Sequence, residues 1–254
     1  MTSDVTIACI GAGRMGRGIA QCVAYAGHEV RLIDAKERDA DAFAKLRDEA
    51  LDEIRTALAS IAALGAFKVD AVPQIMKRVS IVPRGEAAAG LSGARIVFEG
   101  VPEVTDAKRD AFALFDAHAD GDAILASTTS TMLSTELAGF TSAPERFLNA
   151  HWLNPAFLMP LVELSPADET DAETTAFVRA YLEGIGKVPI VCKASPGYIV
   201  PRIQALAMNE AARIVEEGVA SAEDVDKAVD VLADPVGGRL PQQRIRGSTN
   251  LRKR

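Results

Sequence analysis

The sequence predicts an α/β fold: a doubly wound, mostly parallel sheet with an inserted helical pair, followed by a shorter all-helical part. Three observations predict it. A strand, a helix and a second strand open the chain within about thirty residues, which is a βαβ unit. Short apolar runs then alternate with helical stretches as far as Cys192. After Ser195, Pro196 and Gly197 the pattern turns to helix alone.

Residues 5–10 are a short apolar run ending at Gly11 and read as a buried strand. Residues 14–26 read as a helix closed by Gly27. Residues 29–33 form the second strand, which stops at Asp34. The crossover between the two is expected to be right-handed. From 35 to 75 the chain is helical and rich in Ala, Leu and charge, too long for one crossover, so a helical pair is inserted there. Strands follow at 79–82 and 95–98, an amphipathic helix at 104–117, and strands at 123–126, 147–150 and 161–164. A helix at 171–185 and a strand at 188–192 complete the sheet. Helices at 198–217 and 222–229 come last. The expected division is a Rossmann-type nucleotide-binding domain over 1–194, a partial helical domain over 195–233, and a basic, disordered tail over 234–254.

Apolar residues make up 48% of the chain, ample for a packed core. No apolar run is long enough to span a membrane. The N-terminus has neither a basic stretch nor a signal-like apolar segment, so a cytoplasmic location is expected. The net charge of −7 argues against a nucleic-acid partner. From Arg239 to Arg254 there are six basic residues and no acidic one, which leaves the rest of the chain near −13. Cys9, Cys22 and Cys192 lie far apart in apolar stretches, without metal spacing, and read as reduced core residues.

Gly11, Gly13 and Gly16 form G-x-G-x-x-G. The spacing gains meaning from its context: it follows a strand, opens a helix, and precedes an acidic residue at the end of the next strand. Gly11 permits the tight turn, Gly13 lets backbone approach a pyrophosphate, and Gly16 lets helix and strand pack closely. The helix N-terminus offers unpaired N–H groups to the phosphates. Asp34 is placed to accept hydrogen bonds from the adenosine ribose and to repel a 2′-phosphate, so NAD is expected over NADP.

Three histidines are present. His28 follows Gly27 in a turn and reads as a surface residue. His118 ends a helix near Asp116 and Asp120 and reads as a C-terminal charge. His151 differs: it follows the strand at 147–150, and residues 151–155 are read as breaking that strand at the carboxyl edge of the sheet, where ligands bind. Glu163 lies between Val162 and Leu164, and a buried carboxylate needs a partner. The two are candidates for a dyad in which the carboxylate orients the imidazole and the imidazole moves a hydroxyl proton. A core histidine satisfied by a structural glutamate is the competing reading. The hydroxyl cluster at 127–130 also sits at a strand end. One of its members, or Ser134, equally suits a helix N-cap.

These residues, in this order, resemble the L-3-hydroxyacyl-CoA dehydrogenase family. The resemblance runs through Gly11-Ala12-Gly13-Arg14-Met15-Gly16, Phe98-Glu99-Gly100-Val101-Pro102-Glu103, 127–130, His151-Trp152-Leu153-Asn154-Pro155, Leu161-Val162-Glu163, Gly186-Lys187, Ser195-Pro196-Gly197-Tyr198, and on to Asp226. It implies His151 as catalytic base, Glu163 as its carboxylate partner, and Ser130 as the serine that bonds the substrate hydroxyl near the nicotinamide. It implies cofactor contacts for Arg14, Met15, Asn154, Glu103 and Lys108 beside the glycines and Asp34. The chemistry implied is reversible NAD-linked oxidation of an (S)-3-hydroxyacyl-CoA to the 3-oxoacyl-CoA, by a homodimer.

The sequence departs from the family at several places. Pro201 stands where the family usually has Asn, and Thr128 where Asn is usual. Residues 57–66 carry none of the lysines that the family uses for CoA, Lys68 being the nearest. The helical part is expected to be shortened, leaving the apolar face of the helix at 198–217 in need of cover. Two alternatives therefore stay open: a dehydrogenase of a free 3-hydroxy acid, similar to gulonate or carnitine dehydrogenases, and a non-catalytic NAD-binding form.

Overall fold

A computed structural model describes residues 5–233. The tail expected over 234–254 lies outside the described residues. The chain forms two compact units that divide between Ile199 and Val200.

The first unit holds one eight-stranded sheet: β1 (Thr6–Ile10), β2 (Val30–Ile33), β3 (Val79–Val82), β4 (Ala94–Glu99), β5 (Ile124–Ser127), β6 (Phe147–Trp152), β7 (Leu161–Pro166) and β8 (Val188–Val191). Their spatial order is β3-β2-β1-β4-β5-β6-β7-β8. All neighbours run parallel except β6 and β7, which pair antiparallel. The order reverses between β1 and β4, and a crevice opens at such a switch point beyond the carboxyl ends of the strands. Every strand expected from the sequence is present, and so is the doubly wound class.

The helices are α1 (Arg14–Tyr25), α2 (Ala40–Ala63), α3 (Val72–Met76), α4 (Ala87–Leu91), α5 (Thr105–His118), α6 (Ser134–Leu137), α7 (Ala172–Gly184), α8 (Val200–Glu216) and α9 (Ala222–Ala233). Side chains alternate across a strand, so β1 sends Ile7 and Cys9 to one face and Ala8 and Ile10 to the other. On the first face Ile19 and Val23 of α1, Ile54 and Leu58 of α2, and Val178 and Leu182 of α7 close the core. On the second, Leu91 of α4 and Ala111, Phe112 and Phe115 of α5 do so. The inserted pair is unequal: α2 is 24 residues long and α3 only five. Asp39 starts α2 by accepting the Ala42 N–H at 2.7 Å. The buried stripe Ala50, Ile54, Leu58 and Ala62 then repeats every fourth residue.

The second unit's described residues are α8 and α9. Ser221 caps α9, its hydroxyl accepting the Asp224 N–H at 3.1 Å. The first helix of this unit begins at Val200. Just before it, the Tyr198 hydroxyl donates to the Thr129 carbonyl and the Ile199 N–H donates to Glu163, both within the first unit.

Candidate active site

The turn from β1 into α1 is built for close approach. Gly11 has φ +113°, and a Cβ there would lie 2.8 Å from the Gly100 carbonyl oxygen. A Cβ on Gly16 would lie 2.1 Å from the Gly11 oxygen. Both positions therefore exclude any side chain. Gly13 is different, since nothing stands within 4 Å of where its Cβ would be. It is the N-cap of α1, with no side-chain cap and no acidic residue in the first turn. The first turn of α1 thus has open space beside Gly13, no side-chain cap and the positive end of the helix dipole, which fits the pyrophosphate of a dinucleotide.

Beside this turn lies a pocket of about 260 Å³, lined among others by Gly11, Gly13, Asp34, Arg38 and Gly100. Asp34 directly follows β2 and is 4% exposed. Its carboxylate accepts the Lys36 N–H at 3.1 Å and Arg38 Nε at 2.6 Å. Arg14 and Asn154 line a second, smaller pocket beside α1, together with Gln21 and Glu53. There Gln21 Nε2 is buried with no hydrogen-bond partner among the described residues. Met15 is partly buried and packs on the core.

One expectation is corrected at β6. The strand does not break at Ala150; it runs through His151 to Trp152. His151 sits directly opposite Glu163 in the antiparallel β6–β7 register. Two polar residues facing each other inside a sheet satisfy each other, so the ladder continues where the sequence suggested a break. His151 Nδ1 lies 2.8 Å from Glu163 Oε2. A carboxylate only accepts, so the proton belongs on Nδ1 and the Nε2 lone pair is left for chemistry. His151 Nε2 in turn lies 3.1 Å from Ser130 Oγ. The second oxygen of Glu163 accepts the Ile199 N–H at 2.8 Å. The sequence reading thus named three side chains that the fold joins into one chain of hydrogen bonds.

Tyr198 closes the Ser195-Pro196-Gly197-Tyr198 segment, whose pattern assigns it no role. Its ring stacks on the His151 imidazole, centroids 5.0 Å apart at 13°. Its hydroxyl donates to the Thr129 carbonyl at 3.0 Å and accepts from Asn149 Nδ2 at 2.9 Å. Burial pushes that hydroxyl's pKa well up, with the Asn149 bond pulling the other way, so it stays a neutral donor. Tyr198 therefore holds both the imidazole and the loop that carries Ser130.

A second network anchors the same loop. Glu99 is fully buried and accepts from Val101 N–H (2.7 Å), Ser127 Oγ (2.6 Å) and Lys108 Nζ (2.9 Å). Lys108, expected as a cofactor contact, is 1% exposed and spends its ammonium on Glu99, with Glu103 at 3.4 Å. Glu103 accepts the Ser130 N–H at 2.5 Å and the Thr129 hydroxyl at 2.9 Å. Lys108 thus reaches the Ser130 loop through both carboxylates, Glu103 directly and Glu99 by way of Ser127. Glu99 gives a signal related to that of Glu163: both are carboxylates on apolar strands, Glu163 inside β7 and Glu99 at the end of β4. Lys187, 8% exposed, donates to the carbonyls of Ala156 (2.5 Å) and Met159 (3.0 Å) and so pins the loop that carries Asn154.

The cysteines divide. Burial pushes the thiol of Cys22 up to about 11 and that of Cys9 higher still, so both are inert core residues. Cys192 is only partly buried, because it follows the edge strand β8. Among the described residues no group of His, Cys, Asp and Glu has the makings of a metal site, and no helix is long and apolar enough to cross a membrane.

Comparison with known proteins adds an independent line. The family model for the 3-hydroxyacyl-CoA dehydrogenase NAD binding domain matches residues 6–195, and that for the 3-hydroxyacyl-CoA dehydrogenase C-terminal domain matches 197–238. The chain is 35% identical to a probable 3-hydroxybutyryl-CoA dehydrogenase of Bacillus subtilis, over 89% of this chain and 76% of the relative. It is 33% identical to 5-formyl-3-hydroxy-2-methylpyridine 4-carboxylate 5-dehydrogenase of Mesorhizobium japonicum, over 88% and 69%. The crystal structure of the (S)-3-hydroxybutyryl-CoA dehydrogenase PaaH1 from Ralstonia eutropha matches with a TM-score of 0.78 and 30% identity, covering 90% of this chain and 77% of that one.

Proposed function

The chain belongs to the 3-hydroxyacyl-CoA dehydrogenase family, a family of NAD-dependent oxidoreductases, and on that premise we propose that it interconverts a short-chain (S)-3-hydroxyacyl-CoA and its 3-oxoacyl-CoA through a His151–Glu163 dyad. The observation that carries the proposal is the continuous line Glu163, His151, Ser130, with links of 2.8 and 3.1 Å.

NAD, when bound, supplies the hydride acceptor. The first turn of α1 holds its pyrophosphate, and Asp34 its adenosine ribose. Ser130 Oγ bonds the substrate oxygen and sets it beside His151. His151 Nε2 takes the hydroxyl proton as the C–H bond is broken; in the reverse direction the imidazolium returns it. Glu163 holds Nδ1–H and stabilises the imidazolium charge that forms between the two steps. Glu103, with Lys108 behind it, fixes the Ser130 loop, and Asn154 faces the cofactor side.

The similarity to 3-hydroxybutyryl-CoA dehydrogenases supports a short acyl chain. A specific observation favours a second reading. One relative of comparable identity is named for a pyridine carboxylate, a substrate with a free acid group, and the family's CoA lysines are missing from residues 57–66. Initial rates of NADH oxidation with acetoacetyl-CoA, longer 3-oxoacyl-CoA esters and free 3-oxo acids separate the two. The highest kcat/KM is expected for the short CoA ester. A higher value for a free acid would transfer the site to the second reading. Binding of NADH without turnover of any of them would mean a non-catalytic form.

The reading includes a cytoplasmic location and self-association. On α8, Ile203 and Leu206 are exposed three residues apart on one face, while Val225 of α9 is buried. An apolar helix face of this kind calls for cover, and a second copy of the chain is the cover proposed. Sedimentation velocity is expected to give a dimer, and Leu206→Glu to shift it toward monomer. A protein that is monomeric at every concentration tested would contradict this part.

A further inference from the structure

We propose that Arg38 is a latent ligand for a ribose 2′-phosphate, held off by Asp34, so that this ion pair sets the choice between NAD and NADP. The inference rests on reading the pocket beside α1 as the adenosine site.

The charges around that pocket are unbalanced. Arg17, Lys36 and Arg38 line it, with Asp34 as the only carboxylate among its described lining residues. Arg17 is committed elsewhere: its guanidinium pairs with Glu53, and its Nε donates to the Ala12 carbonyl at 2.9 Å. Arg38 has Asp34 as its one charged partner among the described residues, at 2.6 Å, and its side chain is 32% exposed. The Lys36 ammonium makes no ion pair among the described residues. The neighbouring acid, Glu37, lies largely in solvent beside Arg84 at 3.4 Å. Two cations therefore face the ribose side of the pocket against one buried carboxylate.

A lone carboxylate at the end of β2 accepts the ribose hydroxyls and rejects a phosphate. A nearby Arg does the reverse, because it offers a planar fork of donors to phosphate oxygens. Here both stand at one site, four residues apart. Arg38 neutralises part of the Asp34 charge, which weakens the rejection of a 2′-phosphate. The carboxylate still has lone pairs for ribose hydroxyls while it holds Arg38, since each oxygen accepts more than one bond. The unaltered protein is accordingly an NAD binder whose discrimination is restrained by Arg38. Without Asp34, Arg38 and Lys36 are left facing a phosphate of nearly two negative charges.

The test is equilibrium binding of NADH and NADPH, read from nicotinamide fluorescence, on the full chain and three variants. Asp34→Ser is expected to weaken NADH and tighten NADPH, moving their ratio by roughly 10- to 100-fold, the size of a charge-assisted hydrogen bond. Asp34→Ser combined with Arg38→Ala is expected to lose the NADPH gain. Arg38→Ala alone, on the surface side of the pair, is expected to widen the preference for NADH. That variant keeps the test open if Asp34→Ser does not fold. NADPH binding that is the same with and without Arg38, in either background, would overturn the proposal. Binding of neither nucleotide by the unaltered protein would overturn the reading of the pocket itself.

Discussion

Gly16→Ala is expected to abolish dinucleotide binding and to lower the melting temperature together. The added Cβ would lie 2.1 Å from the Gly11 carbonyl oxygen, and a backbone atom cannot give way as the end of a side chain can. Either α1 is pushed off β1 or the Gly11 turn is rebuilt, and overpacking of this kind costs about 1–3 kcal/mol or more. Both outcomes move the first-turn N–H groups of α1, which are proposed to hold the pyrophosphate. Gly13→Ala separates the two effects. Nothing stands within 4 Å of that Cβ, so the fold should be kept. The methyl group would sit where the phosphates approach, and NADH affinity should fall about tenfold or more, the loss of one charge-assisted bond. Thermal melts and NADH fluorescence titrations check both variants. A Gly13→Ala protein with unchanged NADH affinity would place the cofactor elsewhere.

His151→Ala is expected to cut turnover by roughly 10²–10⁴-fold while leaving NADH affinity nearly unchanged, because general acid–base catalysis contributes that much. The variant also leaves Glu163 buried opposite an alanine. Glu163 is fully buried, and removing one partner of a buried pair costs about 3–5 kcal/mol. A lowered melting temperature should accompany the lost activity. Glu163→Gln is milder: the amide oxygen can still accept from Nδ1–H, but the charge that stabilises the imidazolium is gone. The double variant distinguishes a working dyad from two independent structural residues. Groups that act as a unit are non-additive, so His151→Ala with Glu163→Gln should be no slower than His151→Ala alone. Steady-state kcat with acetoacetyl-CoA, beside NADH titrations, reads all three.

The eight strands were legible because their apolar runs are short, separate and bounded by Gly, Pro or acidic residues. The glycine motif was legible because its neighbours fixed its meaning. The same local logic failed at β6. His151 looked like the end of a strand because a polar side chain in an apolar ladder needs a partner, and the partner lies twelve residues away on β7. Register between two strands is not written in either one. Lys108 shows a similar limit. Its place on α5 was visible, but its burial depends on Glu99, a strand away. α4 and α6, of five and four residues, are too short for helical periodicity to register. The stacking of Tyr198 on His151 had no local signal at all, since it depends on where the segment after β8 runs relative to β6.

The central claim is that His151 moves the substrate's proton, and a single-turnover measurement tests it most directly. A preformed complex of the protein with NADH is mixed with excess acetoacetyl-CoA, and loss of nicotinamide absorbance is followed in the unaltered chain and in His151→Ala. The account predicts the same amount of bound NADH in both and a first-turnover rate roughly 10²–10⁴-fold slower in the variant. Equal first-turnover rates, with NADH bound in both, would contradict it.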